Sequence, residues 1–513
     1  MGIVFIIGAG PGDPGLITVR GLRCLAGADV VIHDHQVPAK LLAHARAGAE
    51  KIDVGGAAAH TAEQDAISFL LVEKAREGKT VARLKWGDSF VFDRGASEAL
   101  FLHEQGIRFE VVPGVPAAVA SPIYAGVPIT YPGGGNTLTF VYGHDVHGKA
   151  RSSVDWSCLA HLDGTIVCYA GSEQLEHTIA ALLSHGRPRE EPAAVIYDGT
   201  LSSQRTIDGT LEELARKVEH ANDRRAAILV VGRVAALREH LRWFDVKPLF
   251  GKRVLVTRPR DQAPELVERL EAAGADTVVA PMIRIAPPDD YGPLDQACAR
   301  AATYDWIVFT SANAVDAFIE RLLAGPQDVR ALKGVKLCAV GPRTADRLAR
   351  AGLKVDLVPA EYRAESVLRA MSEAGDVRGL NVLLPHADIG REIIADELRK
   401  QGAEVSVVVA YRTVAEDPER EGQPDVYRML LDHSIDVVTF TSASAVRSFV
   451  RVLGAEPAAD LLRGTVVASI GPLTAEAASL CNVQTTIMPA EYTVPALVAA
   501  IVRYFETEKA LTG

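Results

Sequence analysis

The second half of this chain repeats itself at a nearly constant spacing. Three motifs recur in the same order, 130 or 131 residues further along. They are Phe-Thr-Ser-Ala-x-Ala-Val at 309–315 and 440–446, Gly-Pro-x-Thr-Ala at 341–345 and 471–475, and Pro-Ala-Glu-Tyr at 359–362 and 489–492. Ordered matches at one spacing indicate a duplicated structural plan. The sequence therefore predicts two similar α/β lobes, with a cleft between them that suits a ligand.

Each copy of the first motif follows an apolar strand and opens a helix. The hydroxyl residues at these turns are Thr310, Ser311, Thr441 and Ser442. Such residues cap the first helical turn, and capping alone would explain them. The same helix ends present free N–H groups and a positive dipole, which suits carboxylate ligands. The Gly-Pro-x-Thr-Ala motifs have the same strand–turn–helix pattern, so four helix N-termini are expected at the cleft.

The first half begins with a strand that runs into a glycine-rich loop. Residues 3–7 predict a buried strand, 16–26 a helix and 29–34 a second strand. This β-loop-α-β order recurs along the chain, which indicates the α/β class. In the loop Gly-Ala-Gly-Pro-Gly-Asp-Pro, Asp13 stands where a dinucleotide-binding fingerprint requires glycine. An NAD-linked oxidoreductase is therefore disfavoured.

A break in pattern separates the two halves. The strand predicted at 228–234 closes the first half, residues 242–250 show no periodicity, and a new strand begins at Gly251. We therefore predict a first domain at 1–245, a linker at 246–250 and a second domain at 251–513.

Composition excludes several classes of protein. The formal net charge is -11 and neither half is basic, which disfavours nucleic acid as a partner. No signal peptide is recognisable, and no uninterrupted apolar stretch reaches the roughly 18 residues of a membrane helix. The six cysteines form no C-x-x-C pair, so we expect free, mostly buried thiols, no metal site and a cytoplasmic protein.

The second half resembles the uroporphyrinogen-III synthase family. The resemblance rests on Gly-Lys-Arg-Val-Leu-Val-Thr-Arg-Pro from 251, the paired motifs above, Ala-Tyr-Arg-Thr at 410–413 and the Pro-Ala-Glu-Tyr-Thr near the end. It implies two lobes joined by a two-stranded connector, one formed by about 251–285 plus 415–505 and the other by 286–414.

The same resemblance implies an activity and its residues. The family cyclises hydroxymethylbilane to uroporphyrinogen III, with loss of water and inversion of ring D, and requires no cofactor. Tyr411, Thr344 and Thr474 match its cleft residues and are our catalytic candidates; a core tyrosine and helix-capping threonines are the alternatives. The expected contacts for the substrate carboxylates are Arg258, Arg260, Arg284, Thr310, Ser311, Thr441 and Ser442.

The first half resembles the tetrapyrrole methylases, specifically uroporphyrinogen-III C-methyltransferase. Motifs at 8–14, 83–95, 111–130, 164–171, 203–211 and 228–234 follow the family's order. The resemblance implies two α/β subdomains with S-adenosyl-L-methionine between them, and conversion of uroporphyrinogen III to precorrin-2 for sirohaem or cobalamin. It assigns Asp34 to the substrate, and to the cofactor Pro11, Gly87, Asp88, Pro113, Gly114, Thr130 and Ala170. A homodimer through this domain is left open.

Several positions depart from the methylase pattern. Family cations are missing at 35, 56–57 and 132, Trp86 replaces a glycine beside the cofactor turn, and Ala170 replaces a methionine. We expect the fold to be retained and methyl transfer to be weakened; a docking or regulatory module is the alternative. His33 and His35 either replace lost polar contacts or are exposed strand-end residues, and we favour the second interpretation.

Overall fold

The computed structural model describes residues 2–55, 61–143, 154–221, 223, 225–359, 364–388, 393–416 and 424–512. The chain divides into two compact units. The first is Met1–Lys252 with Ala272–Asp276, and the second is Arg253–Glu271 with Thr277–Gly513. Leu249, in the predicted linker, is fully buried. Its N–H bonds the carbonyl oxygen of Ala273 at 3.0 Å, so this segment packs as part of the first unit.

The first unit begins with a five-stranded parallel sheet in the order β3-β2-β4-β1-β5. Strands β1 and β2 are apolar and largely buried, as expected where helices cover a parallel sheet, whereas the edge strand β3 is polar and mostly exposed. The first helix begins at Val19, later than predicted, because Thr18 caps it through the N–H of Gly21. The elements are β1 Ile3–Gly8, α1 Val19–Ala26, β2 Val30–His33, α2 Ala39–Leu42, β3 Glu50–Asp53, α3 Thr61–Arg76, β4 Thr80–Lys85, α4 Gly95–Glu104 and β5 Arg108–Val112.

A second, mixed sheet completes the first unit, in the order β6-β7-β10-β8-β9. Strands β6 and β7 are parallel, and the remaining pairs are antiparallel. Strand β10 ends at Val231, because Gly232 adopts a φ of 149°. The elements are α5 Ala117–Tyr124, β6 Leu138–Tyr142, α6 Trp156–Ala160, β7 Thr165–Ala170, α7 Ser172–Ser184, β8 Pro192–Tyr197, β9 Arg205–Thr210, α8 Leu211–Ala221, β10 Ala227–Val231 and α9 Arg238–Leu241.

The second unit has two sheets, in the orders β12-β11-β18-β19 and β13-β17-β16-β14-β15. Its strands are β11 Arg253–Val256, β12 Asp276–Val279, β13 Ile283–Ala286, β14 Trp306–Phe309, β15 Lys336–Ala339, β16 Asn381–Ala387, β17 Glu404–Ala415, β18 Val437–Phe440 and β19 Val466–Ser469. Its helices are α10 Pro264–Ala272, α11 Gly292–Ala299, α12 Ala312–Ala324, α13 Pro342–Arg350, α14 Ala364–Ala374, α15 Ile393–Lys400, α16 Val426–Leu431, α17 Ala443–Leu453, α18 Ala455–Leu461, α19 Pro472–Leu480 and α20 Val494–Thr512.

The two lobes repeat the same local architecture, as the motifs predict. Strand β14 and helix α12 correspond to β18 and α17, while β15 and α13 correspond to β19 and α19. The cores match in detail, because Phe309 stacks edge-on against Phe318 at 5.5 Å just as Phe440 does against Phe449 at 5.3 Å. The antiparallel pairing of β13 with the end of β17 supplies the two-stranded connector. The α/β class and bilobal fold are confirmed.

Three glycines hold the loops at the carboxyl end of the first sheet in contact. A Cβ atom on Gly114 would lie 2.4 Å from the carbonyl oxygen of Gly87 and 2.7 Å from the Cα of Gly8. These distances are shorter than side chains tolerate, so the backbones of three loops approach one another directly. Gly8 and Gly114 must therefore lack side chains, whereas a Cβ on Gly87 would meet nothing closer than 3.7 Å and glycine is favoured there by its φ of 71°.

We predict that Gly114→Ala destabilises the first unit by about 1–3 kcal/mol, the usual cost of overpacking a close contact. Hydrogen exchange of β1 and β4, followed by mass spectrometry on the full chain, measures this free energy. Gly27→Ala is the matched control, because its Cβ would lie 3.6 Å from the nearest atom. Equal protection in both variants would contradict the prediction.

Candidate active sites of the two units

The carboxyl ends of β1, β4 and β5 bring the predicted cofactor loops of the first unit together. Gly10 and Gly87 exchange backbone hydrogen bonds of 3.0 and 2.9 Å, and Gly87 has a φ of 71°. The carboxylate of Asp88 accepts bonds of 2.8 Å from the N–H groups of Phe90 and Gly114. The turn at 87–88 is therefore fixed to the loops on both sides of it.

Tyr169, on the second sheet of this unit, contacts the same group of loops. Its hydroxyl accepts a 3.2 Å hydrogen bond from the N–H of Ala118, just after the 113–114 loop. Ala170 follows it and is buried. The structure thus brings Gly87, Asp88 and Gly114 together, whereas the side chain of Ala170 packs in a different hydrophobic cluster from that of Tyr169. Pro11 is buried next to the Gly10 bridge, whereas Pro113 and Thr130 are exposed.

A buried ion cluster lies behind this turn, and sequence reasoning missed all of it except Asp34. Arg83 pairs with Asp34 at 2.6 Å and with Glu98 at 3.2 Å, while Lys85 pairs with Asp93 at 3.0 Å and with Glu98 at 3.1 Å. Arg83, Lys85 and Glu98 are at most 2% exposed. Three carboxylates therefore share two cations, inside the fold.

The cluster sets the ionisation of Asp34. Burial alone would raise its pKa, but Arg83, Lys85 and the N–H of Trp86 together lower it. A carboxylate whose pKa is lower in the folded than in the unfolded chain stabilises the fold at any pH above its ordinary pKa of about 4. This stabilisation is lost as the pH falls through the pKa of the folded state. The pKa of Asp93 shifts in the opposite direction, upward, because burial raises it more than Lys85 lowers it.

The two strand-end histidines differ from each other. His33 is buried and its Nδ1 donates to the carbonyl oxygen of Asp34 at 3.0 Å, so our interpretation of it as exposed is wrong. It is buried because β2 is an inner strand with both faces covered. His35 is exposed and contacts Asp53 at 2.8 Å. Positions 56 and 57, where family cations are missing, lie outside the described residues.

In the second unit, pairs of neighbouring parallel strands bring the N-termini of the helices that follow them close together. Strands β14 and β15 are adjacent and parallel, and so are β18 and β19. Ser311 and Ser442 cap α12 and α17, each accepting a 3.1 Å bond from the N–H three residues later. Thr344 and Thr474 are buried in the first turns of α13 and α19, while Thr310 is exposed and Thr441 is partly buried.

Tyr411 lies on β17, beside the N-terminus of α12. Its hydroxyl is 3.0 Å from the Oγ of Ser311. Burial raises the pKa of Tyr411, against the effect of hydrogen bonds from Ser311 and Asn313, and nearby Asp388 raises it further. The hydroxyl therefore stays protonated and is held at a helix N-terminus.

The three arginine candidates differ in setting. Arg258, at the end of β11, is 4% exposed, and its Nη1 has no hydrogen-bond partner among the described residues. Arg260 is exposed. Arg284 is exposed and lies 4.0 Å from Glu416. A buried guanidinium N–H without an acceptor is costly, so Arg258 is the arginine that most needs an anionic ligand.

Comparisons with known proteins place the chain in a family. A model described as uroporphyrinogen-III synthase HemD matches residues 264–499, and one described as tetrapyrrole (corrin/porphyrin) methylases matches residues 4–215. The porphyrin biosynthesis protein HemD of Ruminiclostridium josui is 36% identical over 485 residues, which cover 94% of each chain. The chain belongs to the family of fused tetrapyrrole methylases and uroporphyrinogen-III synthases.

Two methyltransferases are also similar to this fused enzyme. The uroporphyrinogen-III C-methyltransferase of Bacillus subtilis (strain 168) is 36% identical over 70% of this chain and 73% of its own length. The S-adenosyl-L-methionine-dependent uroporphyrinogen III methyltransferase of Methanosarcina barkeri (strain Fusaro / DSM 804) is 43% identical over 47% of this chain and 94% of its own length. The chain is therefore an enzyme of tetrapyrrole biosynthesis with a methylase unit and a synthase unit.

Two further observations concern the described residues alone. None of their helices is long and apolar enough to cross a membrane. They contain no group of three or more His, Cys, Asp or Glu side chains placed to hold a metal ion. All six cysteines are free; Cys168, Cys298 and Cys338 are buried, whereas Cys158 is exposed.

We predict that Glu98→Gln destabilises the methylase unit by about 3 kcal/mol or more, because Arg83 and Lys85 lose a shared buried counter-charge. Hydrogen exchange of β4 in the full chain measures the change. Glu104→Gln, at the exposed end of the same helix, controls for the substitution itself and should stay within about 0.5 kcal/mol of the parent. Equal effects of the two substitutions would show that the cluster does not stabilise the fold.

Proposed function

We propose that the synthase unit cyclises hydroxymethylbilane to uroporphyrinogen III, and that the methylase unit converts uroporphyrinogen III to precorrin-2 with S-adenosyl-L-methionine. The observation that carries the first assignment is the position of Tyr411. A protonated hydroxyl lies at a helix N-terminus, in the unit that also contains a buried arginine whose Nη1 has no acceptor among the residues that the structure describes.

Ring closure requires the substrate's hydroxyl group to leave as water. In our proposal Tyr411 donates its proton to that hydroxyl while the C–O bond breaks, which leaves a cationic azafulvene. A phenol suits this role because it supplies a proton without adding a charge beforehand, and its raised pKa keeps the proton available. The inverted closure of ring D then depends on how the cleft holds the chain of pyrroles.

Positive groups of the synthase unit would hold the substrate carboxylates. Arg258 offers its Nη1, and the capped N-termini of α12 and α17 offer dipoles of the same sign. Arg260 is exposed and can reach outward, while Arg284 lies beside Glu416 and would need to exchange that carboxylate for one of the substrate. Thr344 and Thr474, buried in their helices, would shape the cleft floor.

We predict that Tyr411→Phe lowers the kcat for uroporphyrinogen III by about 10²–10⁴, the usual contribution of a positioned proton donor. The substitution removes one hydroxyl, so packing should remain. Resolving the type I and type III isomers from hydroxymethylbilane measures the effect. Tyr304→Phe, a buried tyrosine of the same lobe, is the matched control. Unchanged turnover in Tyr411→Phe would reduce Tyr411 to a core residue.

The methylase unit has residues that fit S-adenosyl-L-methionine. Gly87, Asp88 and Gly114 form a fixed turn-and-loop pair at the sheet's carboxyl end, and Ala170 follows Tyr169, whose hydroxyl bonds Ala118 next to that loop. Parallel α/β sheets bind ligands at this end. The bound cofactor would supply an electrophilic methyl group for a pyrrole carbon. Asp34 would face the substrate side, with its ionised state held by Arg83.

The charge around this site argues for weak methylation. Among the described residues Arg83 and Lys85 are already paired with carboxylates of the ion cluster, and family cations are missing at 35, 56–57 and 132. Each charge-assisted hydrogen bond contributes roughly 1.5–3 kcal/mol, so two losses would cost about a hundredfold or more in binding an octa-acid. These observations also support the second candidate, a methylase-like docking or regulatory unit.

We predict that the full chain binds S-adenosyl-L-methionine in a calorimeter but methylates uroporphyrinogen III about a hundredfold more slowly than an intact methyltransferase. His35→Arg should raise the rate by about tenfold, because it restores a family cation at an exposed position. Arg216→His, at an exposed position of α8, is the control, because it exchanges the same two side chains away from the site. Turnover equal to that of the Methanosarcina barkeri relative would contradict the deficit, and absence of binding would favour the docking unit.

A further inference from the structure

The hydroxyl of Tyr411 lies at the N-terminus of α12, where the Oγ of Ser311 is 3.0 Å away. Asn313, two residues further along this helix, is near enough for its side chain to lower the pKa of Tyr411. Ser311 already accepts the N–H of Ala314 at 3.1 Å, so its own O–H is free to donate to the phenol oxygen. The tyrosine oxygen is therefore placed to accept a hydrogen bond from Ser311, which leaves its own O–H available to donate to another group.

Asn313 has a second partner, from the other lobe of the synthase unit. The Nε2 of Gln262 donates to the Oδ1 of Asn313 at 3.0 Å. Gln262 lies in the loop after β11, whereas Asn313 lies in α12 beside β14. The contact between these two amides therefore joins the two lobes at the position of Tyr411.

We propose that Asn313 is a positioning residue that couples contact between the lobes to proton donation by Tyr411. Gln262 fixes the amide so that its Oδ1 faces Gln262 and its Nδ2 faces the phenol oxygen. Tyr411 then accepts from Asn313 and Ser311, and its single O–H points away from both, toward the leaving hydroxyl of the substrate. This inference rests on the proposed synthase activity.

The two ends of the Asn313 amide differ chemically, so the partner at one end determines which end faces Tyr411. An asparagine has one end that only accepts and one that only donates, so occupying Oδ1 with a donor leaves Nδ2 for Tyr411. The two donors also stabilise the oxygen as the proton departs, because charge develops there during C–O cleavage. Without Gln262 the amide is free to rotate, and its Oδ1 would then capture the proton that the reaction needs.

The second copy of the motif has no asparagine at the position that corresponds to Asn313. Its counterpart in the second copy is Ser444, whose hydroxyl contacts Ser442 at 3.0 Å. Ser442 nevertheless caps α17 with the same geometry as Ser311 caps α12, at 3.1 Å in both. Helix capping is therefore complete with serine at this position, and the asparagine is available for another role.

The decisive test compares Gln262→Ala with Gln262→Glu in the full chain. Alanine releases the amide and should lower kcat for uroporphyrinogen III by about threefold. Glutamate can only accept, so it should turn the amide and direct Oδ1 at Tyr411, lowering kcat by about tenfold or more. The alkaline limb of the kcat profile should move to higher pH, because the phenol then bonds an acceptor that holds its proton. Asn313→Ser, the residue of the sister motif, should also lower kcat.

Gln401→Glu controls for the added charge, because Gln401 is an exposed residue of the same unit with a side-chain bond to Ser372. It should leave kcat, KM and isomer ratio unchanged. Equal kcat and an unmoved alkaline limb in Gln262→Ala, Gln262→Glu and the parent would overturn the positioning role. A parent that yields only the type I isomer would instead refute the synthase activity, so the two failures are distinguishable.

Discussion

The architecture of both units depends on parallel strands whose carboxyl ends lead directly into loops and helix N-termini. Such strands cannot be joined by tight turns, so the connecting helices cover the sheet and their N-termini collect at one edge. In the methylase unit that edge holds Gly87, Asp88 and Gly114. In the synthase unit the corresponding edges of its two sheets hold Ser311 and Ser442, one on each. The candidate sites follow from this constraint, because backbone N–H groups and positive dipole ends are already concentrated there.

The two units use charge differently at these edges. The methylase unit buries Arg83 and Lys85 with three carboxylates, so its cations are already paired within the protein. The synthase unit instead buries Arg258, whose Nη1 has no hydrogen-bond partner in the part of the chain that the structure describes. A paired buried cation supports the fold and has little capacity left for a ligand, whereas an unpaired one is stabilised when a carboxylate arrives. This contrast underlies our expectation of efficient ring closure and weak methylation.

Much of this could be predicted from the sequence, because it depends on local patterns. The duplicated motifs predicted the two lobes, and the glycine turns predicted which loops of the methylase unit lie close together. What could not be predicted involves residues far apart in the chain, such as the bond of Gln262 to Asn313 or that of Arg83 to Glu98. The sequence contained one sign that Asn313 has a role of its own, because the second copy of the motif has serine at the corresponding position. His33 was misjudged because an end residue of an inner strand is still covered on both faces.

The central claim is that the synthase unit controls which way ring D closes. The direct measurement is the isomer composition formed by the full chain from hydroxymethylbilane, without S-adenosyl-L-methionine and against a blank without protein. The structure predicts uroporphyrinogen III as the main product, at a rate that exceeds spontaneous closure. Formation of the type I isomer alone, at the rate of the blank, would contradict the account.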